Sequence, residues 1–229
     1  MAANERVPAE RRRRRPTGSG VVLSADLIVD TACQLIDAQG AQAFTVRKLG
    51  AALGADPSAV YRYFRNTEEL FLALADRLIG ESMAGFTRSG DWAADLRDLC
   101  LRAYRSALRH PQIAVFSTVR VTGRPHEQRA VDTGIGLLLE AGFDEATAVR
   151  HYHTLVDTAL GHAALDAGFL RLSPGQRTAD DQAWRSAYAT LPADAYPNIH
   201  RVRDQLPLMA GSAVEGALDL LIEALRASR

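Results

Sequence analysis

The chain has 229 residues, 47% of them hydrophobic and 24% charged, enough to bury a sizeable core in one or two domains. Its 27 basic and 27 acidic residues cancel, so overall charge indicates no polyanionic partner and only local distribution can do so. No apolar run approaches the roughly 20 residues of a membrane span, and the charged N-terminus lacks an apolar signal core, so a cytoplasmic protein without membrane contact is expected.

Residues 1–20 read as a disordered basic tail. Arg6 and the run Arg11 to Arg15 face only Glu5 and Glu10, and nothing there can bury a core. Such an arm is either a solvated tail or a segment that finds DNA phosphate or a minor groove. From Leu23 the chain turns helical. Ser24 suits an N-cap, Ile28, Ala32, Leu35 and Ile36 follow at helical spacing, and Gly40 suits the C-terminal stop. A second helix is predicted from Thr45 through Leu49 and Leu53 to Gly54, and a third from Pro57 to about Phe64. Asn66-Thr67-Glu68-Glu69 reads as a capping box, with Glu69 reaching back, and opens a fourth helix over 67–87.

Asp91 caps a segment that ends at Arg109, before His110-Pro111. Further helices are expected near 112–122, 126–141 and 144–170, then a long loop over 172–198 with one helical turn around Trp184, then a last helix from about Ser212 to Ala227. No alternating strand pattern with a hairpin signal occurs, which predicts an all-α fold. Cys33 and Cys100 lie far apart in helical patterns and read as small buried hydrophobes.

The stretch 54–64, GADPSAVYRYF, breaks a helix and restarts it at once. Gly54 can take a positive φ, Asp56 can cap the next helix, and Pro57 suits its first position. Two short helices at such a turn form a helix-turn-helix, whose second helix enters the DNA major groove. Small Ser58 and Ala59 would let the helix N-terminus approach base edges. Tyr61, Arg62 and Tyr63 carry donors for phosphates or bases. A surface helical hairpin with exposed tyrosines is the competing reading.

The run FTVRKLGAALGADPSAVYRYFRNTEEL, residues 44–70, resembles the DNA-binding domain of TetR-family transcriptional regulators, with the likeness covering about 23–75. Thr45, Leu49-Gly50, Gly54, Tyr61-Arg62-Tyr63-Phe64 and Glu68-Glu69-Leu70 carry it. Val46-Arg47-Lys48-Leu49 is similar to the tetracycline-repressor branch. The resemblance implies that Thr45 bonds phosphate, Arg47 reaches a base, Lys48 holds phosphate, Ser58 and Ala59 face base edges, and Tyr61 and Tyr63 hold the backbone. Thr67 stands where the family carries a lysine, so a usual phosphate contact is missing, with Arg65 and the arginine tail available to compensate. Phe44, Leu49, Leu53, Val60 and Phe64 read as the three-helix core.

The domains expected are the tail (1–20), the helix-turn-helix domain (21–70) and a helical effector-binding and dimerisation domain (71–229). The resemblance implies a small-molecule effector and a homodimer. The sequence also suggests the dimer, through stripes of Val149, Tyr152, Val156, Ala159, Leu160 and Ala163 in one helix and Val214, Leu218, Leu221 and Leu225 in the last, widened by Ala217 and Leu220. Alternatively, both stripes face the monomer's own core. Two reading helices about 34–36 Å apart would read a palindromic operator. Tyr104, Phe116, Tyr152, His153 and Trp184 are the candidate effector residues, with Trp92, Phe143 and Phe169 as further aromatics; such aromatics are more often plain core. His153 and Asp157, four apart, could hold a polar ligand or simply each other. His110 reads as a helix-end residue. No metal set, cofactor motif or catalytic signature is present, so no enzyme, metal or cofactor is expected. The resulting expectation is a ligand-released repressor on duplex DNA; its alternative is a non-specific architectural DNA binder using the basic tail.

Overall fold

A computed structural model describes residues 22–228, so the basic-tail expectation lies outside the described residues. Among them the chain is helical and forms no strand. The first helix, α1 (Ala25–Gln39), begins where the Ser24 hydroxyl accepts from the Leu27 amide at 3.1 Å. Ile28, Ala32 and Ile36 recur every four residues at 0% exposure and give it a core face. Helix α2 (Val46–Ala52) is capped by Thr45, whose hydroxyl accepts from the Lys48 amide at 3.2 Å.

A 3₁₀ helix over Pro57–Arg62 follows, where a longer third helix was expected. The Asp56 carboxylate accepts from the Ser58 amide at 2.8 Å and sets its start. Two glycines fix the turn between them. Gly54 has φ +63°, and a Cβ on Gly50 would stand 3.0 Å from both Ala55 O and Pro57 N. Backbone occupies that space, so the chain can double back tightly against α2 only because Gly50 has no side chain.

Helix α3 (Thr67–Met83) crosses the expected 70/71 boundary without a break. Asn66 caps it by accepting from Glu69 N at 2.8 Å. The predicted reciprocal half of the capping box is displaced by one residue: the Glu69 carboxylate accepts from Arg65 N at 2.6 Å. Leu70, Leu74 and Leu78 join Ile28, Ile36, Leu49, Val60 and Phe64 in one buried cluster, which also takes Ile113 from α5 (Pro111–Ser117). The N-terminal head and the body therefore share α3 and α5.

The body is built on α4 (Trp92–Arg109), α6 (Pro125–Glu140), α7 (Glu145–Leu170) and α10 (Val214–Ala227). Asp91 caps α4 by accepting from the amides of Ala93 at 2.9 Å and Ala94 at 3.3 Å. Leu155, Ala159, Ala163 and Ala167 repeat every four residues along α7 at 0–1% exposure. This mostly alanine stripe lets α4 and α10 approach closely. Leu96, Cys100, Leu101, Leu137, Leu138, Val214, Leu218, Ile222 and Leu225 complete the cluster. Across the surface, Arg97 holds Asp219 at 2.5 Å and Glu215 at 3.3 Å, tying α4 to α10.

The expected loop over 172–198 is largely helical. Helix α8 (Pro174–Gln182) starts at a full capping box, with the Ser173 hydroxyl accepting from Gln176 N at 3.3 Å and Gln176 Oε1 from Ser173 N at 3.0 Å. A π-helical turn (Ala183–Ala187), short 3₁₀ segments and α9 (Pro197–Val202) follow. Pro, Gly and Asp here mark helix starts rather than a loop. Both cysteines are buried and free, their thiols pushed up to about 12, chiefly by burial.

Candidate nucleic-acid interface and neighbouring cavity

The head presents Thr45, Arg47, Lys48, Ser58, Tyr61 and Arg62 as exposed residues, with Tyr61 at 48%. Lys48 Nζ donates to Gln39 Oε1 at 2.9 Å and to Ala43 O at 2.8 Å, so a phosphate contact would exchange these bonds. Hydrogen bonds from the Ser58 side chain and amide hold the exposed Asp56 carboxyl below its usual range.

Two expected contacts are placed differently. Ala59 is 6% exposed and its methyl packs in the head core, so it cannot face base edges; it sets the depth at which the 3₁₀ helix sits. Tyr63 is half-buried and its hydroxyl donates to Leu23 O at 2.6 Å, tying the reading segment to the start of α1 rather than standing clear for a phosphate. Thr67 is partly exposed at the first position of α3, and the neighbouring Arg65 is 88% exposed, 3.3 Å from Glu69.

Beneath the head, a cavity of about 430 Å³ lies among α3, α4, α6, α7 and the connection after α5. Leu78, Leu99, Val131, Val156 and Leu160 are among its apolar walls. Thr118 to Val121 also line it, and this connection is fastened to α3 at three points. Arg120 pairs with Glu68. Arg124 lies 3.5 Å from the Glu69 carboxylate. Buried Asp76 accepts from Glu127 N at 2.9 Å and from the Thr122 hydroxyl at 3.4 Å. One segment thus forms a cavity wall and grips the first turn of the helix that leaves the head.

The expected effector residues separate into three places. Tyr152 and His153 line this cavity; His153 Nε2 stands 2.9 Å from Asp157, and both side chains are mostly exposed at its mouth. Tyr104 and Trp184 line a second cavity of about 610 Å³ with Phe169, Tyr188 and the carboxylates of Asp166, Asp180 and Asp181. There the Tyr104 hydroxyl donates to Asp166 at 2.8 Å, and Trp184 stacks on Tyr188 at 4.6 Å. Phe116 lines neither. It packs on Phe71, which packs on Phe44, and belongs to the head's core. Trp92 and Phe143 meet edge to face as body core. Sequence reasoning missed the 118–121 wall, although Val119 and Val121, exposed at 75% and 82%, are apolar residues in a connecting segment and were its one signal.

His110 bridges head and body. Its Nδ1 is 2.6 Å from Asp37 of α1 and its Nε2 3.3 Å from Glu81 of α3. Among the described residues no group of three or more side chains is arranged to hold a metal ion, and no helix is long and apolar enough to cross a membrane.

The predicted dimer stripes are mostly spent inside one chain. Ala159, Ala163, Val214, Leu218 and Leu225 are buried in the body core, so they are not available to a partner. Leu221 packs against that core, and Tyr152, Val156 and Leu160 line the cavity. Val149 alone of the ten is solvent-exposed, at 51%.

A glycine-turned helix-turn-helix joined through shared helices to a larger helical body with an apolar cavity defines the class of helical transcription regulators. Residues 28–74 match the family of bacterial regulatory proteins described as tetR family, and residues 85–227 match the tetracyclin repressor-like C-terminal domain. An HTH-type transcriptional regulator from Saccharopolyspora erythraea is 23% identical over 221 residues, 93% of this chain and 92% of its own. A possible TetR family transcriptional regulator from Streptomyces coelicolor A3(2) superposes with TM-score 0.73 at 27% identity, over 90% of this chain and all of that one. ActR from Streptomyces coelicolor, in complex with actinorhodin, superposes with TM-score 0.78 at 23% identity, over 90% and 96%, and bears on the fold alone. The chain belongs to the TetR family of transcriptional regulators.

Proposed function

We propose that this chain is a sequence-specific, homodimeric repressor that leaves a palindromic operator when a small molecule fills the 430 Å³ cavity. The observation that carries this is the double duty of residues 118–124, which line the cavity and hold Glu68 and Glu69 directly after the reading segment. A ligand that binds better to one position of this connection would shift α3, and with it the spacing of two reading heads. Arg47, Ser58, Tyr61 and Arg62 are the proposed DNA contacts of the exposed head, with Thr45, Lys48 and Thr67 at its phosphate edge. For the dimer, the outer faces of α7 and α10 remain, where Leu165 is 69% and Leu220 71% exposed.

The test is selection from a random duplex library, followed by salt titration of the selected sequence. A palindromic consensus bound by two chains is the expected result. Binding without consensus that collapses as salt rises would replace this reading with the architectural one.

A further inference from the structure

The charged groups of the 430 Å³ cavity are already answered. Arg120 pairs with Glu68, and His153 with Asp157. The Glu127 carboxylate accepts from the amides of Thr122 at 3.1 Å and Gly123 at 2.7 Å. An ionic ligand would have to break one of these arrangements, and a charge taken from water without a partner is costly. Most wall hydroxyls are spent too. Ser82 donates to Ile79 O at 2.7 Å, Ser106 to Leu78 O at 2.9 Å and Thr118 to Ala114 O at 2.9 Å.

Tyr152 differs. Its hydroxyl makes no hydrogen bond to any described residue, while burial raises its pKa and keeps it a neutral donor. Tyr152 is among the residues that line the cavity, with Cys100 and Glu127 in the same wall. The ring is held in place from behind: a Cβ on Gly134 of α6 would stand 2.2 Å from Tyr152 Cε2 and 2.5 Å from Cδ2. No real Cβ tolerates that separation, so the notch left by Gly134 is what draws the ring out of the cavity. Ser117, the other wall hydroxyl for which no donated bond is seen among the described residues, is a short side chain on the seven-residue helix α5.

Resting on the effector-cavity reading above, we propose that the cavity takes an uncharged, predominantly apolar molecule bearing a carbonyl-type acceptor, that the Tyr152 hydroxyl donates to this acceptor, and that Gly134 sets the depth available by seating the Tyr152 ring. An unpaired donor in an apolar wall discriminates sharply, because a ligand lacking the acceptor leaves it unsatisfied.

The experiment is equilibrium dialysis of the full chain against 9-fluorenone and fluorene, which share a ring skeleton and differ by a carbonyl in place of a methylene. The parent should hold fluorenone several-fold to about tenfold tighter, the range of one net hydrogen bond. Tyr152→Phe should remove that preference and leave fluorene within about twofold, since it keeps the ring. Gly134→Ala should weaken both probes by driving the ring inward, with a melting curve to verify that the variant folds. Equal binding of the two probes to the parent, unchanged in Tyr152→Phe, would overturn the Tyr152 assignment while sparing the cavity. Failure of both probes to bind the parent would overturn the effector-cavity reading and this inference with it.

Discussion

The head and the body differ in how their functional features are made. In the head, each feature is a place where the backbone must do something unusual, and a specific residue type permits it. Gly54 takes a positive φ, Gly50 admits the returning chain, and Asp56 with Pro57 restarts the helix. In the body, the feature is a space left unfilled by five elements, and no backbone rule marks it. Local chemistry thus writes a turn into sequence far more plainly than it writes a cavity.

The largest test of this contrast is Leu74→Ala. Leu74 is fully buried in the head's cluster yet sits on the helix the body shares. The loss should be about 2–5 kcal/mol, read as a shift in the urea midpoint. A single transition that moves as a whole is expected. Two resolved transitions, with only one moved, would show that head and body are separate cooperative units.

Gly50→Val comes next. Its side chain would meet the backbone of Ala55 and Pro57, which cannot rotate away. A cost of about 1–3 kcal/mol is expected, with loss of DNA binding because the reading segment is pushed off α2. Retained DNA affinity at reduced stability would mean the turn is less demanding than its geometry indicates. Arg47→Ala, on the exposed surface, should leave stability alone and weaken operator binding by about 1–3 kcal/mol, with relaxed preference at one base pair. Equal binding to every operator variant by parent and mutant would sink the base contact.

Acid should not separate the two regions. Asp56 and Glu69 in the head, and Asp91 and Asp144 in the body, are all held below the ordinary carboxylate range, chiefly by hydrogen bonds at helix starts. A lowered folded value contributes stability above the unfolded value, about 3.9 for Asp and 4.3 for Glu, and that stability is lost as pH falls through the folded values. The melting temperature should therefore hold from neutral pH to about 5 and fall below about 4. Asp91→Asn, which still caps, should reduce that slope.

How much was legible follows the same division. Ser24, Asp56, Asn66 and Asp91 were read as caps from sequence, and each accepts the expected amide. Ala59 and Tyr63 were assigned to DNA because their types fit a reading helix, but the 3₁₀ geometry turns one methyl into the core and ties the other hydroxyl to Leu23 O. Most of the dimer-stripe residues lie in the chain's own core or cavity wall for a related reason: an apolar stripe at helical spacing is the same for a partner's surface and for the chain's own core, and only packing decides. The second capping box, at Ser173 and Gln176, was present in the sequence, but the surrounding Pro, Gly and Asp were weighted as loop.

The smallest expected effect bears most directly on how the two regions would communicate under the proposed effector release. Arg120 and Glu68 are 44% and 53% exposed, so their pair is worth only about 0–1 kcal/mol, and Arg120→Ala should change ligand-free operator affinity by no more than about fivefold. Its consequence is local. Without the pair, the first turn of α3 loses one of the grips by which the cavity wall holds it, and its amides should exchange faster over residues 67–72. Arg120→Lys, which keeps the charge, should restore part of the protection. Unchanged exchange in Arg120→Ala would move the link between cavity and head to Arg124–Glu69 and Asp76–Glu127, which also span the joint. A coupling path need not be strong to work: a ligand has only to prefer one of two arrangements of the wall, and a weak grip is the kind that modest differential affinity can release.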